Sequence, residues 1–138
     1  MIVVGVDGSE TAFGAAQVAA ELARALGAKL HIVSAYRRSG TREIVGPGGD
    51  QWYDGDADLA VADARKTAVR LGGGDLEITT ATSYGKPADI LIQEAERLEA
   101  RMIVVGNVRM QGPGRALGSV ANSVVHHAPC DVHIVKTS

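Results

Sequence analysis

The chain has 138 residues, 46% of them hydrophobic and 22% charged, with 14 Lys+Arg against 16 Asp+Glu for a formal net charge of -2. That length fits one domain and that apolar share is enough for a packed core, so a two-domain arrangement and a disordered chain are both set aside. The charge balance leaves nothing for nucleic acid or an anionic membrane to hold, the lone Cys130 makes no internal disulfide, and the lack of a basic leader or an 18-residue apolar run predicts a cytoplasmic protein.

Ile2 to Val6 is an apolar run of strand length that passes into Asp7-Gly8-Ser9. Ser9 suits the N-cap of a first helix whose inner face is predicted at Ala15, Val18, Ala19, Leu22 and Leu26, with Gly27 at its C′ position. Leu30 to Ala35 predicts the second strand. Tyr36 to Gly55 then carries Gly46-Pro47-Gly48-Gly49 and the only tryptophan, Trp52. About 20 residues without a periodic pattern is uncommon inside a compact domain, and points to a mobile flap or binding loop.

Asp56 to Leu71 predicts a second helix, gathering Ala60, Ala64, Thr67, Ala68 and Leu71 before the Gly72-Gly73-Gly74 stop. Leu76 to Thr82 is the third strand. Pro87 suits the first turn of a third helix carrying Ile90, Leu91, Ala95 and Leu98, and Met102 to Gly106 is the fourth strand. In the last helix Leu117, Val120, Ala121, Val124, Val125 and Ala128 form one stripe, and Pro129 ends it before the fifth strand, Val132 to Val135. Five strands alternating with four helices predict an α/β fold with a doubly wound parallel sheet, because continuous apolar strands need helices over both faces.

In such a sheet ligands bind beyond the carboxyl ends of the strands where the winding reverses, here between strands one and four. Strand one ends in Gly5-Val6-Asp7-Gly8-Ser9: the glycines permit close backbone approach, and Asp7 can accept from a ribose or base edge, help hold a metal, or simply cap the turn. Strand four runs into the segment Gly106 to Ser119, whose four glycines and following helix N-terminus suit phosphate, with Ser119 as a hydroxyl donor and Arg109 and Arg115 as cations. Judged by spacing alone, the same glycines suit a surface loop that merely turns the chain. No GxxxxGK[ST] is present, so this is not a P-loop ATPase.

Other features have plainer readings. His126 and His127 close the last helix, where a positive imidazole favours the dipole, and adjacent positions face different sides. Asp54, Asp56 and Asp58 imitate a calcium loop, but Leu59 and Arg65 stand where Gly and Glu are needed, so a helix start is predicted. Cys130 opens a strand as a small buried or interfacial thiol. No nucleophile elbow exists, so no hydrolytic triad is inferred.

The order VDGS after strand one, then VVGN, a glycine-rich segment, LGSV and a closing APCDVHIVKT resembles the universal stress protein family over essentially all 138 residues. The resemblance implies a single flavodoxin/Rossmann-like domain spanning 1–138. It also implies ATP or a related adenine nucleotide as ligand, with or without Mg²⁺. Gly106 to Ser119 is similar to the family's ATP-binding signature G-x2-G-x9-G-[S/T], with Arg109 on the second glycine and eight residues, not nine, before Gly118. By motif position, Gly5 and Asp7 lie near the adenosine, Ala35 near the adenine, and Gly106, Gly118, Ser119 and Val120 along the ribose and phosphates. Arg109 either obstructs the backbone site or pairs with the phosphates. The family likeness further implies a homodimer through Asp131 to Lys136 and a stress or signalling role with little or no turnover. The alternatives are a nucleotide-free dimeric interaction module or a slow ATPase, for which Asp7 is the only candidate base. A phosphorylation receiver is excluded, because strand three ends in Thr80-Ala81-Thr82-Ser83 without an acid.

Overall fold

The computed structural model describes residues 1–36, 44–45, 51–52, 54–72, 74–107 and 117–137. In chain order these form β1 (Ile2–Gly5), α1 (Glu10–Leu26), β2 (Leu30–Tyr36), β3 (Ile44–Val45), β4 (Gln51–Trp52), α2 (Asp54–Leu71), β5 (Ile78–Tyr84), α3 (Pro87–Arg97), β6 (Met102–Asn107), α4 (Ser119–His127) and β7 (Asp131–Lys136). The main sheet runs β5-β2-β1-β6-β7 with every pair parallel, so the chain winds outward from β1 in one direction through β2 and β5, then in the other through β6 and β7.

Ile2 and Val4 of β1 point into one core with Leu30, Ile32 and Val104, covered by the alanines of α1 and by Ala64 of α2. The intervening Val3 joins Val33, Ile103 and Val105 on the opposite face beneath α3 and α4. Alternate residues of each central strand thus feed two separate cores, which is why its sequence reads as an unbroken apolar run. The five-stranded parallel sheet and four helices agree with the expected α/β fold. Among the described residues, no helix is long and apolar enough to cross a membrane.

The helix ends follow the predicted chemistry. Ser9 is the N-cap of α1 and its side chain accepts from the Ala12 amide, while Gly27 closes the helix in the left-handed region at φ 64°. Pro87 occupies the first turn of α3. The segment Asp54 to Asp58 lies in the first turns of α2, a helix start as expected.

Details differ from expectation in four places. The segment Tyr36 to Gly55, expected as an unstructured loop, holds the β3–β4 antiparallel ladder, pairing Ile44 with Trp52 and Val45 with Gln51; its remaining residues 37–43, 46–50 and 53 lie outside the described ones. The third strand of the main sheet starts at Ile78, opposite Leu30, instead of Leu76, because the turn at Gly74 (φ 58°) still has to be completed. In α1 the side against the sheet is Ala15, Ala16, Ala19, Ala20 and Ala23, and Leu26 is exposed, since small residues let the helix lie closer than a leucine stripe would. In α4 only Ala121 and Val124 are buried and Val125 is exposed, because the helix covers the sheet near its β7 edge, where less of its surface meets the strands.

One polar group lies within the second core. His31 on β2 is 4% exposed, shares a hydrogen bond of 2.6 Å between Nδ1 and Thr79 Oγ1, and sits 3.7 Å from Glu94 of α3. Burial lowers its pKa from the ordinary 6.5; the Glu94 charge opposes that and Arg97 adds to it. An imidazole that resists protonation when folded makes the unfolded chain bind more protons as the pH falls through 6.5, so stability is full above that value and declines below it until the folded group also titrates. Urea unfolding followed from about pH 7.5 to about pH 5 is expected to show a smaller loss in His31→Asn than in the parent chain. Parallel curves would assign the acid sensitivity elsewhere.

Candidate functional site

Strands β1 and β6 pair from Ile2 with Met102 to Val4 with Val104 and then part, because the chain leaves each toward a different helix. A cavity of about 340 Å³ opens at this fork. Its size is that of a small-ligand site, and its position is the switch point of the sheet.

Three kinds of surface line it. Val33 and Ala35 from the end of β2, with Pro87 and Leu91 of α3, make an apolar slot at one end. Gly118, Ser119, Val120 and Ala121, the N-cap and first turn of α4, line it from the β6 side of β1. Among the described residues no side chain caps that turn, so its amides and the positive end of the helix dipole face the cavity that they line. Gly5, Asp7, Ser9, Thr11 and Thr137 line it as well. Asp7 is the only carboxylate or cation among the described lining residues.

Asp7 Oδ1 accepts from the Ser9 amide at 2.9 Å and from the Ser9 hydroxyl, which in turn caps α1. Of the roles weighed for Asp7, the structure shows the one in the turn, and it also sets the residue on the cavity wall. At Gly5 and Gly106 the absent side chain makes room for neighbours. A Cβ on Gly5 would lie 3.2 Å from Leu91, and one on Gly106 would lie 3.3 Å from both Ala15 and Thr137.

Gly5, Asp7, Ala35, Gly106, Gly118, Ser119 and Val120, all singled out from sequence, line this one cavity. Arg109 and Arg115 lie outside the described residues. Sequence reasoning missed Asn107, which is 4% exposed and whose Oδ1 accepts from the Gly118 amide at 2.8 Å, tying the end of β6 to the start of α4. An asparagine directly after four buried or half-buried apolar residues and a glycine was its only signal. It also missed Leu91, read as core alone, and Thr137, which nothing in the sequence marks.

Among the described residues no group of three or more His, Cys, Asp or Glu could hold a metal ion. His126 and His127 stand in the last turn of α4, with Nδ1 of His127 beside the Ser123 carbonyl. Cys130 is half-buried against the second core, and burial together with the Asp131 charge pushes its thiol pKa up, the opposite of an activated nucleophile.

The family model for the universal stress protein family matches residues 1–136. The chain belongs to the universal stress protein family. A universal stress protein of Mycobacterium tuberculosis strain H37Rv is 36% identical over 146 aligned positions, covering 99% of this chain and 96% of that protein. Among solved structures, a universal stress protein in complex with cAMP aligns with TM-score 0.71 and 34% identity over 99% of this chain and 97% of that one. The universal stress protein of Archaeoglobus fulgidus in complex with dAMP aligns with TM-score 0.67 and 27% identity over 98% and 96%.

Proposed function

We propose that this universal stress protein binds an adenine nucleotide in the cavity between β1 and β6, with the base in the slot of Val33, Ala35, Pro87 and Leu91 and the phosphate at the first turn of α4. The observation that carries the reading is the make-up of the cavity: apolar side chains of β2 and α3 and the N-terminus of α4 line one space, which suits a flat ring joined to an anion. Relatives of this family solved with cAMP and with dAMP support the ligand class. In this reading Gly5 and Asp7 border the sugar, Gly106, Gly118, Ser119 and Val120 follow the phosphate side, and Arg109, outside the described residues, is a candidate cation for the phosphates.

ATP is one candidate within that class, with or without Mg²⁺, and the protein acts by occupancy in a cytoplasmic stress response. Asp7, the only candidate general base on the described walls, already carries the turn at Ser9, which supports little or no turnover. The second part of the reading is a homodimer through β7. Among the described residues that strand is paired on its β6 side alone and places half-buried Val132, Ile134 and Val135 at the sheet margin, and an open apolar edge needs a cover.

Thermal and urea unfolding with ATP, ADP, AMP or cyclic AMP, each with and without Mg²⁺, test the first part. At about 100 times its dissociation constant a ligand adds roughly 2.7 kcal/mol. Absence of any shift across that set removes the proposal. Light scattering on the same samples tests the second, and a monomer mass removes it.

A further inference from the structure

A second cavity, about 180 Å³, adjoins the first and shares Asp7 and Ala35 with it. Its other walls are Ser34 and Tyr36 at the end of β2 and Leu59, Ala60 and Asp63 on α2. Of the two shared residues, Ala35 belongs to the apolar slot and Asp7 follows β1, so the second space continues on the β2 and α2 side of the first, across β1 from β6 and α4.

Asp63 is the group in this space without an assigned task. Its carboxyl packs against the turn after β1: a Cβ on Gly8, held at φ 86°, would meet Oδ1 at 2.8 Å and Cγ at 2.9 Å, so α2 and this turn approach closely only because residue 8 has no side chain. Among the described residues no hydrogen-bond donor reaches the Asp63 carboxyl, whereas the main-chain carbonyl of the same residue accepts from Thr67. A carboxylate that lines a cavity and meets no donor is complementary to a ligand group that brings N–H hydrogens.

We propose that Asp63 is a specificity-determining residue that selects purines bearing a 6-amino group over 6-oxo purines, through an N–H of the exocyclic amine donated to its carboxylate. This rests on the adenine-nucleotide reading of the first cavity and adds a residue and a discrimination to it. The chemistry is asymmetric. An amino group offers hydrogens to an acceptor, whereas a 6-oxo group would set a second acceptor against the carboxylate and leave both without a donor. A sugar hydroxyl donating to Asp63 is the competing occupant, and it would leave the amino and oxo purines bound equally.

The experiment compares ATP with ITP and cyclic AMP with cyclic IMP by calorimetry, each pair differing at the purine 6-position. The parent chain is expected to prefer the adenine member by about 10- to 100-fold, the range of one hydrogen bond to a charged group. In Asp63→Asn the side-chain amide donates to a 6-oxo group, so the preference is expected to collapse toward unity through a gain for the inosine member. In Asp63→Ala it is expected to collapse through a loss for the adenine member. Melting of the unliganded variants confirms that they fold. Equal affinities in the parent chain, or a preference unchanged in both variants, overturn the proposal while leaving nucleotide binding in place. Binding of neither member of either pair to the parent chain overturns the adenine-nucleotide reading itself, and the role of Asp63 with it.

Discussion

Gly118→Asp is expected to lower adenine-nucleotide affinity by at least about 100-fold while changing the free energy of unfolding by no more than about 0.5 kcal/mol. Gly118 is the N-cap of α4 with φ -65° and ψ 166°, a conformation open to any residue. An aspartate there accepts from an amide of the first turn, which is the group that the proposed phosphate uses. It also sets a negative charge near that phosphate: two like charges about 4 Å apart repel by about 4 kcal/mol at an effective dielectric constant near 20. On the stability side the capping gain is small relative to glycine, and it is offset because the new Cβ would lie 3.0 Å from Asn107 Oδ1, which must give way slightly. Calorimetry with ATP and urea unfolding measure the two quantities separately. Undiminished affinity would place the phosphate somewhere other than this helix end.

Ile103→Ala is expected to destabilise the protein by about 2–5 kcal/mol, the range for truncating a large buried aliphatic side chain. Ile103 lies on β6 between Val3 of β1 and Val132 of β7, is 0% exposed, and belongs to the core beneath α3 and α4. Neighbours on both strands hold the backbone in place, so the space left by the truncation closes only in part. Guanidinium unfolding followed by circular dichroism should show a lower midpoint with an unchanged slope. A loss below about 1 kcal/mol would mean that this face repacks freely, against the rigidity expected of a close-packed interior.

The central strands and the helix caps were legible because their signals are local. Ile2-Val3-Val4 and Met102-Ile103-Val104-Val105 are continuous apolar runs, and that pattern follows from helices on both faces. Ser9, Gly27 and Pro87 each satisfy a requirement of one turn of backbone, whatever the rest of the chain does. The site was legible at the ends of β1, β2 and β6, where strand ends coincide with motif positions. The walls contributed by distant segments were not. Leu91 looks like any core leucine of an amphipathic helix, and Asp63 looks like any charge on a helix surface. Only the approach of α3 and α2 to the strand ends turns them into cavity walls. On α1 the predicted Ala15, Ala19 and Leu22 do meet the core, but Leu26 does not and Ala16, Ala20 and Ala23 were passed over, because close contact with the sheet extends to small residues that a stripe of large ones does not mark.

The tie between Asn107 and the Gly118 amide spans a sequence separation of 11. It works as a buckle: the strap between its two ends can be cut to a different length without moving either end, since the penalty for closing a loop changes only slowly with the number of residues in it. A segment one residue shorter than the family signature can therefore leave the first turn of α4 in register with β6. Exchanging the residues between 107 and 118 for a relative's is thus a way to ask how far this one tie seats the first turn of α4 by itself.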